Sequence, residues 1–254
     1  MQIKGSVAVI TGGASGLGFA TAQELISLGA CIVIADLSEA NGTKAAEMLG
    51  DAARFVQADI ASEADMERVF VAADALGPLR ILVNCAGRGG TLRIVDRDGN
   101  PGSLEFYEGI VRTNLIGTFN VLRLAAARMA RLDPLGEERG VCILTASIAG
   151  YEGQVGQLPY ASSKAGVIGL TLVAARDLAQ RAIRVCTIAP GVFDTPMLSR
   201  LSEDQRAALG KAVPFPPRLG RPEEYAALAA HLIENTLING ETIRLDGALR
   251  MPPR

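Results

Sequence analysis

SVAVITGGASGLGFATAQELISLGACIVIAD, Ser6 to Asp36, is the stretch whose reading decides the fold. SVAVI is a short β-branched run, and TGGASGLG follows it at once. FATAQELISL, within Gly16 to Leu28, has helical periodicity, and CIVIAD returns to a strand. The order is strand, glycine turn, helix, strand. Gly12, Gly16 and Gly18 are spaced GxxxGxG. Glycines at such positions let the backbone turn tightly, approach a pyrophosphate and pack the helix close to the sheet, while the helix N-terminus faces phosphate charge. Asp36 closes the second strand, where an acid can accept hydrogen bonds from the adenosine ribose. No Arg or Lys lies between Cys31 and Asn41 to meet a 2′-phosphate, so NAD(H) is expected rather than NADP(H). A solvated aspartate ending a strand is the alternative reading of Asp36.

The rhythm then repeats. Glu39 to about Leu49 reads as helix, AARFVQA from Ala52 as a strand leading to Asp59 and Ile60, Glu63 to Ala75 as helix, and ILVNCAG from Ile81 as a strand entering a turn at Asn84, Cys85, Ala86 and Gly87. Strands separated by helices describe a parallel sheet covered on both faces, with its ligand beyond the carboxyl ends of the strands. Thr11, Asp36, Asp59 and Asn84 all fall at such ends. Asp59 can accept from an adenine amino group, with Ile60 against the ring, or simply cap its strand. The turn after Asn84 gives backbone room for adenosine and the nicotinamide ribose. Arg88 to Glu105, with DGNPG inside it, reads as a surface excursion containing a short hairpin.

Composition narrows the class. At 254 residues, 49% hydrophobic and 20% charged, the chain can bury a large core and need not be more than one domain. A net charge of -2 without a basic block argues against a nucleic-acid partner. No apolar run reaches the ~20 residues of a bilayer span, and no basic-then-apolar leader precedes the first strand. A cytoplasmic protein without a membrane partner is expected, with the mitochondrial matrix as the second choice. Cys31, Cys85, Cys142 and Cys186 lack CxxC spacing, so buried thiols are expected and no metal site is indicated. The one histidine, His231, reads as a packed helix residue.

A chemical constellation follows. A long helix is expected from about Ser103 to Leu132, with Asn114 inside it: either tolerated there, or marking a kink that orients a water toward Lys164. GVCILTAS is a strand delivering Ser147. On the next helix, Pro159 to about Arg181, Tyr160 and Lys164 are four apart and share a face. A phenol near pKa ~10 and a lysine near ~10.4 are poor acid/base groups alone at neutral pH. An ammonium held near the phenol favours phenolate, and a serine hydroxyl can hold a carbonyl or alcohol oxygen against it. The strand Ile183 to Ala189 exits through Pro190 and Gly191, where Val192 and Thr195 can touch a nicotinamide carboxamide. Residues 194–222, with a short helix from Leu198 to Leu209, read as a substrate lid. Gln154 and Gln157 lie close enough to Tyr160 in sequence to line a substrate path. Glu223 to Ile233 reads as helix, and Glu241 opens a last strand.

Gly12/Gly16/Gly18, the NxAG turn, Asn114, Ser147, Tyr160 and Lys164 together resemble the classical short-chain dehydrogenase/reductase family from Lys4 onward. The resemblance implies a Rossmann-type, doubly wound α/β fold with a seven-stranded parallel sheet, one domain with a small helical lid, NAD as cofactor and a homotetramer. It implies cofactor contacts from Ser15, Leu17, Asp36, Asp59, Ile60, Cys85, Tyr160, Lys164, Phe193 and Thr195, and substrate binding by Ser147. Cys85 stands where many members have a second asparagine. ASIAGYEGQVGQLPYASSK, TIAPGVFDTPML and the run from Val213 to Met251 resemble members that oxidise the 3-hydroxyl of 3-hydroxyacyl-CoA to the ketone, with Tyr160 as acid/base. A hydroxysteroid or other secondary-alcohol dehydrogenase is the alternative. A 3-oxoacyl carrier-protein reductase ranks lower because Asp36 argues against NADPH, and a cofactor-binding scaffold would be expected to lack part of the catalytic set.

Overall fold

The computed structural model describes residues 1–199 and 201–253. Seven strands form one parallel sheet: β1 (Val7–Thr11), β2 (Cys31–Asp36), β3 (Ala53–Gln57), β4 (Leu79–Asn84), β5 (Gly140–Thr145), β6 (Ile183–Pro190) and β7 (Thr242–Leu245). Their order is β3-β2-β1-β4-β5-β6-β7. Strands β1, β5 and β6 are buried at every position, as their near-continuous apolar sequences require. The connecting helices are α1 (Gly16–Ser27), α2 (Glu39–Leu49), α3 (Glu63–Asp74), α4 (Leu104–Val111), α5 (Thr118–Met129), α6 (Leu158–Leu178), α7 (Glu203–Lys211) and α8 (Pro222–Glu234).

Strand side chains alternate between two cores. Val7, Val9 and Leu82 join Phe70 of α3, Val121 of α5 and Val167 of α6 on one face. Ala8, Ile10, Ile81 and Val83 join Leu25 of α1 and Tyr225 and Leu232 of α8 on the other. The strand order reverses between β1 and β4, and Thr11 pairs with Asn84 there. This is the crevice in which doubly wound sheets hold their ligands.

The expected fold is therefore the observed one, with local differences. The long helix is broken into α4 and α5 by a π-helical turn, Arg112–Gly117, containing Asn114. A Cβ on Gly117 would stand 2.7 Å from Ile60 Cγ1, so glycine lets this turn press against the exit of β3. The lid helix is α7, five residues later than expected at its start. Pro196–Leu198 forms a separate 3-10 turn, and Ser202 with Gln205 makes a reciprocal capping box. That S-x-x-Q signal stands in the sequence and marks the true start. The expected short hairpin is a tight turn in which Val95 bridges Pro101 and Asp96 N–H donates to Asn100 O at 2.9 Å. His231 is exposed on α8 rather than packed.

The expectation that no segment could span a bilayer needs one correction. Leu158–Arg181 is 24 residues long, and an 18-residue window within it has mean hydropathy 1.2, long and apolar enough by those measures. Its Val167, Thr171 and Ala175 are buried, it packs along β5 and β6, and it carries the buried Lys164, so it is a core helix.

Gly18 sets the distance between α1 and the glycine turn: a Cβ there would lie 2.3 Å from Gly12 O and 2.8 Å from its carbonyl carbon. Backbone cannot yield as a flexible side chain can. Gly18→Ala should therefore cost about 1–3 kcal/mol. Gly169→Ala on α6, where nothing lies within 4 Å of the new methyl, should be neutral or stabilise by up to about 1 kcal/mol. Urea midpoints of the two variants check the contrast; equal midpoints would contradict the close-packing assignment.

Candidate active site

The first part of the site is the glycine turn. Gly12 has φ +64°, and a Cβ on it would sit 2.8 Å from Ala86 N, so the first turn and the Asn84–Gly87 turn meet backbone to backbone. Ser15 is the N-cap of α1 but makes no side-chain cap hydrogen bond, and the first turn of α1 holds no acid. Its leading N–H groups therefore keep their affinity for an external anion. Leu17 turns inward and packs on the α1/α8 core. The Asp36 carboxylate lies beside the turn, accepting from Ala14 N (3.2 Å) and Ser38 N (3.4 Å). Thr195, at the start of the lid, approaches from above: a Cβ on Gly16 would lie 3.3 Å from Thr195 Cγ2. An uncapped helix end, a cradle only glycine can line and an acid at the ribose position together fit a dinucleotide.

Several expected contacts serve other partners. Asp59 Oδ1 accepts from Ala61 N (2.9 Å), a turn-capping role, while Asp65, unnoticed in the sequence, accepts from Asp59 N (3.0 Å). Ile60 is buried against the Gly117 turn. Asn84 is locked in a buried chain: Thr11 Oγ1 donates to its Oδ1 (2.6 Å), and its Nδ2 donates to Thr118 Oγ1 (2.9 Å). Thr118 Oγ1 in turn donates to Asn114 O (2.7 Å). Asn84 thus fixes the turn and leaves Cys85, Ala86 and Gly87 to present it. Gly191 lies so close to Asp246 that a Cβ would meet it at 2.8 Å, and its N–H donates to Leu245 O (2.9 Å). Phe193 is only 7% exposed, its ring seated on Gly220. Gly220 N donates to Val192 O and Asp194 N to Gly220 O, so the two ends of the lid are tied together beside Pro190.

The second part is the chemical group. Ser147 leaves β5 in extended geometry and accepts from Ala149 N (3.1 Å). Tyr160, half-buried in the first turn of α6, is close enough to the Ser147 hydroxyl to hydrogen-bond with it. Lys164 is 3% exposed; its Nζ donates to Thr145 O (2.7 Å) and lies 5.8 Å from the centre of the Tyr160 ring. Burial pushes the Tyr160 phenol above its ordinary value, and the Ser147 hydrogen bond offsets only part of that. Burial also lowers the Lys164 ammonium to about 8. The Lys164 ammonium points at the Thr145 carbonyl, and burial dominates the shift of the phenol.

Two further groups make contacts that the sequence does not announce. The Asn114 side chain is held on both sides, its Oδ1 accepting from Arg88 N (2.9 Å) and its Nδ2 donating to Arg88 O (2.9 Å) and Ser163 Oγ (3.0 Å). It pins the chain after Gly87. Gln154 and Gln157 bond each other, with Gln157 Nε2 donating to Gln154 Oε1 at 3.3 Å, and Gln154 Nε2 donates to Pro252 O (3.1 Å). They link the loop before Tyr160 to the C-terminal tail.

Sequence reading missed the clasp behind that loop. Arg244 on β7 donates to both Glu152 oxygens (2.8 and 2.9 Å), to Asp246 (2.7 Å) and to Leu249 O (3.0 Å), and its guanidinium lies 5.0 Å from the Tyr151 ring centre. The Arg244 guanidinium holds Glu152 below the usual carboxylate range. Ile148, Val213 of the lid and Leu249 of the tail form a small separate core beside it.

Residues 6–206 match the profile of the short chain dehydrogenase family, so the chain belongs to that family. It is 48% identical over 255 residues to 3-hydroxyacyl-CoA dehydrogenase type-2 of Drosophila melanogaster, covering 99% of this chain and 100% of the relative. The crystal structure of 3-hydroxyacyl-CoA dehydrogenase type-2 from Mycobacterium avium is similar with a TM-score of 0.95 at 48% identity, covering 98% of each chain. The 3-ketoacyl-(acyl-carrier-protein) reductase from Brucella melitensis, complexed with NADH, has a TM-score of 0.88 at 30% identity, covering 97% of this chain and 98% of its own.

Proposed function

We propose that this chain catalyses the NAD-dependent, reversible oxidation of the 3-hydroxyl of a 3-hydroxyacyl-CoA to the 3-oxoacyl-CoA. The observation that carries the reading is the Ser147, Tyr160 and Lys164 group, set at the same sheet edge as the Asp36 crevice in a chain similar from end to end to type-2 3-hydroxyacyl-CoA dehydrogenases. Bound NAD supplies the hydride acceptor and, when oxidised, a positive charge. Gly12, Ser15, Gly16 and Gly18 hold its pyrophosphate, Asp36 its adenosine ribose, Lys164 its nicotinamide ribose, and the Val192–Thr195 turn its carboxamide. Ser147 fixes the substrate oxygen, and Tyr160 takes the hydroxyl proton in one direction and returns it in the other. Burial holds Tyr160 protonated, the form that donates to a ketone; positive charge nearby favours the phenolate that accepts from an alcohol. Asn114, in the π-helical turn beside Lys164's helix, anchors a water that relays protons to solvent.

Assembly and compartment belong to the same proposal. Ile116 beside α5, Phe119 on it, and Leu172 and Val173 on α6 are large, apolar and exposed, which supports a homotetramer built through these helices. The four free cysteines suit a reducing cytoplasm, and cell fractionation reads that placement.

Tyr160→Phe should lower turnover of acetoacetyl-CoA with NADH by about a hundredfold or more while leaving NADH affinity near that of the parent enzyme. Initial rates on acetoacetyl-CoA, a steroid ketone and an acyl carrier-protein thioester, each with NADH and NADPH, test the substrate; a preference for the last with NADPH would overturn the reading. Because Lys164 is charged below about 8 and neutral above it, NADH affinity should fall as pH rises through about 8 rather than near 10. Lys164→Met should lack that limb in a fluorescence titration. Light scattering should give four chains per particle, and Val173→Glu should dissociate them; a stable monomer in the parent protein would refute the assembly.

A further inference from the structure

We propose that Tyr225, on the opposite side of the sheet from α6, is a positioning residue for Lys164: its hydroxyl clamps Thr145, whose carbonyl receives the lysine ammonium. The inference rests on the reading of Lys164 as a group that holds the cofactor.

Tyr225 lies in the first turn of α8 and is 0% exposed, the largest side chain buried so completely among the described residues. Its ring belongs to the α1/α8 core, yet its hydroxyl reaches the carboxyl ends of β4 and β5. There it shares a hydrogen bond with Thr145 Oγ1 (2.7 Å) and receives one from Cys85 Sγ (3.6 Å). Lys164 meets the same residue from the other layer, donating to Thr145 O at 2.7 Å. Thr145 is thus gripped by its side chain from one face and by its carbonyl from the other.

The same hydroxyl touches Cys85, two residues before Gly87. A Cβ on Gly87 would lie 3.4 Å from Lys164 Nζ, so the cofactor turn and the ammonium share one small space. Tyr225 ties both walls of that space together. Phenylalanine would fill the same apolar volume, and a hydroxyl hidden from water only breaks even by finding a partner. Packing alone therefore accounts for the ring and not for the oxygen. The oxygen's contacts are the strand end that holds Lys164 and the turn that faces it.

The ionisable groups facing Lys164 are Cys85 at the end of β4, Tyr160 on its own helix and, through Thr145, Tyr225 on α8. No salt bridge joins Lys164 to a carboxylate among the described residues. The Thr145 carbonyl is then the group whose placement governs how well the charged amine is held. Loosening it weakens the charged form and lets the proton leave at lower pH.

The test uses Tyr225→Phe, Thr145→Val, the double variant and Thr145→Ser, with NADH affinity followed by fluorescence across pH and stability by urea. Tyr225→Phe and Thr145→Val should each weaken NADH binding about tenfold, the scale of one well-placed hydrogen bond, and move the alkaline loss of affinity below pH about 8. The double variant should be no worse than either single one, and Thr145→Ser, which keeps the hydroxyl, should bind like the parent enzyme. A Tyr225→Phe protein with unchanged affinity and pH dependence, whatever its urea midpoint, would overturn the proposal. So would losses that multiply in the double variant. NADH binding reads the clamp without turnover, so inactivity on acetoacetyl-CoA would remove the substrate reading and leave this test standing.

Discussion

A lysine ammonium withdrawn from water has to be met by an acceptor at a fixed distance, and in this protein the acceptor is the last carbonyl of β5. That requirement governs the surrounding chain. The start of α6 must stand over the end of β5 so that Nζ and Thr145 O are 2.7 Å apart. Glycine at position 87 keeps the turn after β4 close to Asn114 and Lys164, since a Cβ there would lie 3.2 Å from Asn114 Oδ1 and 3.4 Å from Lys164 Nζ. Asn114 can hold Arg88 only because the π-helical turn re-aims it toward that loop, and Gly117 in the same turn lets α5 close on Ile60. Each local irregularity is what permits the next contact.

The loop between Ser147 and Tyr160 is organised by charge rather than by strand ends. Glu152 lies between Ser147 and Tyr160 in the chain, and Arg244 grips it bidentately while also holding Asp246 and the Leu249 carbonyl. Bidentate guanidinium–carboxylate pairs fix orientation as well as separation. The tail so held passes Val155 and Gln154, the loop at Leu92 binds Gly156 from the other side, and Val213 of the lid packs on Ile148 and Leu249. Lid, excursion and tail therefore converge on the residues that join Ser147 to Tyr160.

Periodicity and glycine spacing made the sheet, its helices and the cofactor crevice legible, because those features repeat locally along the chain. Ser147, Tyr160 and Lys164 were legible for a similar reason: a strand end and an i,i+4 pair place them by geometry. What escaped was set by contacts between distant segments. Nothing near Gln154 announces that Pro252 will take its amide, and nothing near Arg244 announces Glu152, which is 92 residues away. Tyr225 reads as one more apolar position of α8, since its hydroxyl acquires a role only when β4 and β5 are brought under it. Asn114 was noticed as odd, but its partners depend on a turn whose hydrogen-bond pattern no residue type dictates.

The electrostatics of the pair tie direction of reaction to cofactor state. Burial alone favours neutral Tyr160 and depresses Lys164 to about 8, so the protein's own field sets the phenol as an acid. On the proposed reading, that suits reduction of a ketone, where the reduced nicotinamide ring is neutral and a proton must be given up. Oxidation of an alcohol needs the opposite, and the oxidised ring brings the positive charge that desolvation withholds. Tyr160 can then serve both directions without a second acid/base residue. The low exposure of the pair, which at first sight weakens each group, is what makes its proton affinity respond to one charge.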